Sequence, residues 1–355
     1  MNVAKESKSA TKKFVKSIVA QEKGSRGLSR VAFDFIVACE YHILTMMRHA
    51  CQHFFCWGWL LLACQPALRG ASTFNVATYN LENYLDHAAG TRPAKTDAAR
   101  AKIRESIRAL HAEVLALQEM GSSNALLELR ASLKADGLDY PHWEFVPGFD
   151  TNIHVAVLSQ FPILARRSHT RDGFLLNGRR FRVSRGFAEV DIQVNPQYRF
   201  TLLVAHLKSR RPVPQADEAD LREQEALILR EKIEARLKAS PELNLIVAGD
   251  LNDVQNSRST RAVLGRGKYA LTDTRPAEKN GDNQPNPNPR YPPRHVTWTH
   301  YYGVEDTYGR IDYILLSRGM AREWNPQGTY VLARPNWGVG SDHRPLVVNI
   351  TAEDR

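Results

Sequence analysis

Past residue 72 the chain has no cysteine; its four, Cys39, Cys51, Cys56 and Cys64, all lie earlier. Residues 73–355 can therefore use neither disulfides nor thiolate ligands, which excludes zinc-finger and thiol chemistry from the body. A cysteine-free domain suits an exported or a cytosolic home. Net charge is small there too. The whole chain carries a formal +10, but residues 1–72 hold ten Lys and Arg against four Asp and Glu, leaving 38 against 34 in the body. The balance favours polyanionic partners (nucleic acid, phosphates or anionic lipid) but for the body only mildly. No internal repeat is apparent. What is present is ordinary for a globular protein: 355 residues, 43% apolar and 24% charged, enough for one large α/β domain or two small ones.

Phe54 to Cys64 is an eleven-residue run without charge. It is too short to span a bilayer as a helix and fits the apolar core of a secretory leader. Gly70-Ala71-Ser72 offers small residues for cleavage, and Leu61-Leu62-Ala63-Cys64 resembles a lipoprotein box with Cys64 as the lipid anchor. The domain expectation is a leader over 46–72, preceded by an upstream extension, disordered or mis-assigned, over 1–45. Translation would then start at Met46 or Met47, and the product would be exported: periplasmic, extracellular or lipid-anchored.

In the body, apolar runs and alternation predict strands at Phe74–Tyr79, Val114–Leu117, Trp143–Val146, Val155–Ser159, Ile163–Val194, Arg199–Ala205, Leu245–Ala248, Ile311–Leu316, Tyr330–Ala333 and Pro345–Ile350. Helical spacing predicts helices at Asp97–Leu110, Ser123–Lys134 and Ala219–Leu237. Pro276 to Pro293, with six prolines, reads as a loop. Arg166, Arg167, Arg171, Arg179, Arg180, Arg182 and Arg185, with Phe174 and Phe181 among them, suit a phosphate backbone and stacked bases; a solvated hairpin edge explains them equally well. No apolar hairpin that would dip into a membrane is evident.

Polar residues gather where strands end. Leu243–Asp253 is the clearest case: an apolar strand, then Gly249, then Asp250, Asn252 and Asp253. Asn80 and Glu82, Glu119, His206, Asp312, and Asp342 with His343 repeat the arrangement. One such residue is usually a turn cap; five strands each ending so are hard to explain by turns. Glu119, Asp342, Asn80 and Glu82 supply hard oxygens, which suit Mg²⁺ or Mn²⁺. Asp250 can orient and deprotonate water, the two histidines can serve phosphate oxygens, and Asp312 is the natural partner to keep His343 charged. Asp253 is left to cap the following turn. Gly249 to Asp253 also fits the Gly-Asp-x-x-Asp element of calcineurin-like phosphoesterases, but that family's Asp-x-His and Gly-Asn-His-Glu/Asp elements are missing.

Taken together, Ala77–Asn83, Leu117-Gln118-Glu119, Val157–Pro162, Ala205-His206-Leu207, Gly249–Asn252, Arg310–Leu315 and Gly340–Pro345 resemble, in order, the motifs of the endonuclease/exonuclease/phosphatase family, the deoxyribonuclease I-like phosphodiesterases. The resemblance covers 73–352. It implies an α/β (α+β) four-layer sandwich, two packed mixed sheets flanked by helices, and a metal-dependent phosphodiesterase. It further implies Glu119 as main metal ligand with Asn80, Asp342 and Glu82 nearby, Asp250 and Asn252 on the attacking water, His206 and His343 on the scissile phosphate, and Asp312 holding His343. Asp253 and Tyr313 stand where the inositol-polyphosphate branch has an aromatic-Arg pair and an Arg, and His206 where the abasic-site branch has Tyr. A monomeric secreted nuclease acting on DNA or RNA is expected, with Lys208, Arg210 and Arg185 binding substrate. A sphingomyelinase-like lipid phosphodiesterase or phosphatase is the alternative within the family. A non-catalytic binding module is the alternative outside it, and it predicts lost catalytic positions where here all are filled.

Overall fold

The computed structural model describes residues 72–279, 287–290 and 295–353. The upstream extension and the leader, Cys64 included, lie outside the described residues but for Ser72. The body falls in one compact unit, Gly70–Arg355. Its first eight strands are Ser72–Tyr84 (β1), Val114–Met120 (β2), His142–Val146 (β3), His154–Ser159 (β4), Ile163–Arg166 (β5), Gly173–Leu176 (β6), Arg179–Arg182 (β7) and Ala188–Gln193 (β8). The other eight are Arg199–His206 (β9), Leu245–Asp250 (β10), Thr272–Asp273 (β11), His300–Tyr302 (β12), Thr307–Gly309 (β13), Asp312–Leu316 (β14), Trp324–Val331 (β15) and Leu346–Ala352 (β16). The helices are Asp97–Leu110 (α1), Ser123–Ala135 (α2), Glu218–Ala239 (α3), Arg258–Leu264 (α4) and Arg318–Ala321 (α5).

Twelve of the strands form two six-stranded mixed sheets, in the orders β15-β16-β1-β2-β4-β3 and β11-β14-β10-β9-β8-β5, and β6-β7 and β12-β13 pair as two-stranded ribbons. Each sheet has one parallel pair at its heart, β1 with β2 and β9 with β10, flanked by antiparallel neighbours. A parallel pair needs a crossover, and α1 and α3 provide it. Alternation then sorts the side chains. Phe74, Val76, Val114 and Val348 of the first sheet meet Phe200, Leu202, Ile246 and Ile314 of the second in the central core. Their outward neighbours Ala77, Leu115 and Leu117 pack on Ile103, Ile107 and Leu129, while Leu203 and Val247 pack on Leu229 and Ile233. Each such buried aliphatic side chain contributes about 1.5–3 kcal/mol relative to exposure. The result is helix, sheet, sheet, helix, as the sequence motifs imply.

Local chemistry starts the helices where expected. Thr96 accepts from Ala99 N at 3.2 Å, Ser122 from Ala125 N at 3.1 Å, and Asp217 from Ala219 N at 2.9 Å. Two strand expectations need correction. Ile163–Val194 is not one alternating run but four strands, because Asn177 (φ 50°) and Gly178 (φ 74°) turn the chain back and make β6–β7 a separate ribbon. The strand expected at Tyr330–Ala333 lies earlier, at Trp324–Val331, where a register shift between Asn325 and Tyr330 around Pro326 and Gly328 interrupts the pattern. The ribbon also exposes apolar surface: Leu175 is 67% exposed and Phe174 stacks on Phe181 at 5.8 Å. The same ribbon exposes Arg179, Arg180 and Arg182 beside that leucine, so it is basic as well as apolar. Among the described residues no helix is long and apolar enough to cross a membrane.

Candidate active site

Sheet register brings the site together. In the second sheet His206 lies opposite Asp250 across β9–β10, and Asp312 opposite Asp250 across β10–β14. In the first sheet Asn80 lies opposite Gln118, one residue before Glu119. Both parallel strands then leave the ladder. Register shifts between Asn80 and Tyr84 on β1 and between Leu117 and Met120 on β2 re-aim their side chains. Glu82, Asn83, Glu119 and Asn252 all take left-handed backbone, with φ of 46°, 55°, 58° and 55°. Strain of this kind in non-glycine residues persists only where the surroundings hold it, and here it clusters at four polar positions of one site. Gly249 (φ 138°) is demanded by packing: a Cβ there would sit 2.0 Å from Ala205 O on β9.

The Asn80 amide joins the two sheets. Its Nδ2 donates to Asp250 Oδ2 at 3.0 Å and, more weakly, lies 3.4 Å from Glu119 Oε1. Asp250 Oδ1 accepts from Asn252 N at 2.7 Å. His206 Nε2 lies 3.5 Å from Asp250 and 3.9 Å from Glu119. His343 Nδ1 is 2.8 Å from Asp312 Oδ2, which also accepts from Thr299 Oγ1 at 2.7 Å. The other face of that ring, Nε2, lies 4.0 Å from Asp250 and 3.7 Å from Asp342. Asn83 N donates to Glu119 Oε2 at 2.8 Å, and Lys95 Nζ to Glu82 Oε2 at 3.2 Å.

Burial and neighbours set the charges. Burial, and then the Asp312 carboxylate, push Asp250 up to about 7, against the pull of His343 and the hydrogen bonds from Asn252 and Asn80. Burial pushes His343 down, but the Asp312 carboxylate and its hydrogen bond, with Asp342 and Asp250, overcome it and hold the ring well above the usual histidine range. Burial first, then Arg185, His343 and Arg92, hold His206 well below that range, so it is neutral. Burial would raise Asp342, yet His300, His343 and Lys95 carry it below the usual range. Glu82 is raised by burial and by the Asp342 carboxylate, with Glu119 adding to it.

That crowding of Glu82, Glu119 and Asp342, answered by Lys95, is what a divalent cation would relieve, and every donor there is a hard oxygen. Two tighter groups hold their ligand atoms within 4.8 Å: His300, Asp342 and His343, and Asp250, Asp312 and His343. The second is fully buried and already holds the 2.8 Å histidine–carboxylate bond, so His343 and Asp312 read as a proton-sharing pair with Asp250 4.0 Å away.

Nine sequence-named residues thus converge: Asn80, Glu82, Glu119, His206, Asp250, Asn252, Asp312, Asp342 and His343. Three do not. Arg210 turns to Asn252 O and Asp253 Oδ1 at 3.3 and 3.1 Å. Lys208 Nζ caps the carbonyls of Ser209 and Arg211. Arg185 is 5% exposed and donates to Leu207 O at 3.4 Å. Arg185 and Lys208 instead line a separate cavity of about 400 Å³ whose Arg185 and Arg92 act electrostatically on His206. Asp253 accepts from Val254 N as a turn residue would, and it also binds Arg222 Nε and Ser259 Oγ, each at 3.0 Å. Three neighbours escaped the sequence reading: Thr299, His300 and Lys95. Thr299 and His300 follow the proline-rich loop in a stretch with no apolar alternation to mark β12. Lys95 sits in the loop after β1, where nothing in its spacing ties it to Glu82.

The sequence model of the endonuclease/exonuclease/phosphatase family matches residues 73–343. No curated protein matches the chain significantly. Solved structures with the same fold include the human Nocturnin catalytic domain with bound sulfate (17% identity, 79% of this chain and 95% of that one, TM-score 0.56). Truncated TDP2 of Caenorhabditis elegans aligns at 13% identity over 79% of this chain and 98% of that one, TM-score 0.53. Sphingomyelinase C of Streptomyces griseocarneus aligns at 19% over 79% and 99%, also with a TM-score of 0.53. The chain belongs to the endonuclease/exonuclease/phosphatase family of hydrolases acting on phosphoric ester bonds.

Proposed function

We propose that the chain is a divalent-metal-dependent nuclease that hydrolyses phosphodiester bonds of DNA or RNA with water as nucleophile. The observation that carries it is the Asn80 amide bridging Asp250 and Glu119, which fixes a proton acceptor beside a carboxylate edge. Asp250, poised near neutrality, takes the proton of the attacking water, while the Asn252 backbone N–H holds its other oxygen. His343, charged through Asp312, turns Nε2 toward the phosphate and donates a hydrogen bond to an oxygen as charge develops there. Neutral His206 donates from the neighbouring side. Glu119, Asp342 and Glu82, with Asn80, would hold Mg²⁺ or Mn²⁺. When bound, such a cation would supply Lewis-acid polarisation of a phosphoryl oxygen. For substrate class, support comes from the ribbon, where Arg179, Arg180 and Arg182 are exposed around Phe174 and Phe181. The apolar run Phe54–Cys64 supports export, which N-terminal sequencing of the native protein tests.

A second reading, a lipid phosphodiesterase, is favoured by the same ribbon's exposed Leu175. One panel decides: plasmid DNA, RNA, sphingomyelin vesicles and an inositol phosphate, with Mg²⁺ or Mn²⁺, with EDTA, and with Asp250→Ala. Nucleic acid cleavage lost in EDTA and in the variant is expected. Full activity in EDTA or in Asp250→Ala refutes the mechanism, and preference for sphingomyelin replaces the nuclease reading with the second.

A further inference from the structure

The cavity lined by Arg185 and Lys208 is not used by the chemistry above. Arg92, Phe149, Asp150, Arg185, Lys208 and Arg211 are among its lining residues. Arg185 is its least satisfied member. A guanidinium offers five N–H donors, yet this one has a 3.4 Å bond to Leu207 O and a 3.7 Å approach to Asp150, and its buried Nε has no partner among the described residues. A buried charged donor in that state is costly unless an acceptor arrives. Local acids do not suffice. Asp150 is shared with Arg92, also at 3.7 Å. Glu225 lies behind, but its oxygens are taken by Ser184 N, Ser184 Oγ and Lys208 N at 2.7–2.8 Å. Four cations thus face two carboxylates. The Arg185 and Arg92 charges reach the His206 ring, which places the cavity within electrostatic range of the reacting centre. At the rim Phe149 is 65% exposed, with the Arg182 guanidinium 5.9 Å from its ring centroid. A flat aromatic beside a pocket of cations matches one base and the phosphate next to it.

We propose that this cavity is a nucleotide subsite, binding the phosphate adjacent to the scissile one on Arg185, Arg92 and Lys208 and stacking the intervening base on Phe149. It rests on the nuclease reading and deepens it: the enzyme selects substrates with a second phosphate one nucleotide from the cut. The test compares thymidine dinucleotides with no terminal phosphate, a 5′-phosphate or a 3′-phosphate, alongside plasmid DNA. In the wild type one terminal phosphate raises kcat/KM by about ten- to a hundredfold, the range of a hydrogen bond to a charged group. Arg92→Gln brings that ratio toward one. Phe149→Ala raises KM for every dinucleotide, and Phe149→Trp restores it. Arg185→Gln repeats the Arg92 result if it folds; Arg92, partly exposed, keeps the test open if it does not. Plasmid cleavage without any preference among the dinucleotides, or a preference that survives Arg92→Gln, overturns the subsite alone. Absence of cleavage of plasmid DNA, of dinucleotides and of the RNA in the panel above, taken together, overturns the nuclease reading and the subsite with it.

Discussion

Two β-α-β units build this site, and they treat their carboxylates in opposite ways. The unit β1-α1-β2 ends in Asn80, Glu82 and Glu119; the unit β9-α3-β10 ends in His206, Asp250 and Asn252. Both have a parallel pair, a crossover helix and polar residues at the strands' carboxyl ends. Depth separates them. The Asp250 and His206 side chains are 2% and 1% exposed, whereas Glu119 is 18% and Glu82 41% exposed. Buried Asp250 is driven up to about 7, the range of a proton acceptor. At the shallower edge Asp342 is held below the usual range and keeps the negative charge that a cation needs. In the proposed mechanism, one local device thus yields a proton-transfer end and a cation-binding end, according to how far each lies from water.

The largest effect should come from the deep end. Asp250→Asn is expected to lower kcat by about 10²–10⁴-fold, the usual worth of a positioned base. Raising Mg²⁺ or Mn²⁺ should not recover it, as steady-state kinetics across a cation titration will show. Glu119→Gln at the shallow end should behave differently. It should raise the cation concentration needed for half-maximal rate by about 10- to 100-fold, with much of the rate returning at saturation. If excess cation rescues Asp250→Asn as well, the division of labour between the units is wrong.

Gly249 tests whether depth depends on the close approach of β9 and β10. Gly249→Ala places a methyl 2.0 Å from the Ala205 carbonyl, in a backbone conformation that alanine resists. A loss of about 1–3 kcal/mol is expected in urea unfolding. An unchanged midpoint would mean that the strands can separate freely there, and that Asp250 is not held deep by packing.

These contrasts show what a sequence can reveal and what it hides. Val114–Leu117 and Leu245–Ala248 are legible as strands because both faces are buried and the apolar run is unbroken. The polar groups at their ends are legible for the same reason, since the run stops abruptly. The ribbon β6–β7 hides inside a longer alternating stretch, and β12 hides because His300-Tyr301-Tyr302 is half-exposed and lies after a proline-rich loop. Depth is invisible altogether. Asp250 and Asp342 both follow a glycine-containing segment, yet the pairing of β10 between β9 and β14 buries one, and the loop before β16 leaves the other open. Arg185 reads as one of seven arginines in a basic stretch; only the fold shows that it is buried while Arg179 and Arg180 are exposed.

The smallest effect sharpens the comparison outside the site. His154, on β4 of the first sheet, is a buried histidine like His206 of the second, packed against Phe145 at 4.9 Å. Burial lowers its affinity for a proton, more than the Asp150 charge raises it. The sign follows from linkage. Above the unfolded value of 6.5 neither state is protonated at this ring, and His154 adds no pH dependence. As pH falls through 6.5 the unfolded chain takes up a proton that the folded ring refuses, so stability drops, and the drop levels off below the depressed folded value. His206 acts in the same direction and His343 in the opposite one. His154→Asn should therefore shrink, without abolishing, the fall in urea midpoint below pH 6.5, while leaving the midpoint's pH dependence above 7 as it was. A slope identical to the wild type would mean that the ring is hydrated in the folded state, and that burial in the first sheet governs protonation less than it does around Asp250.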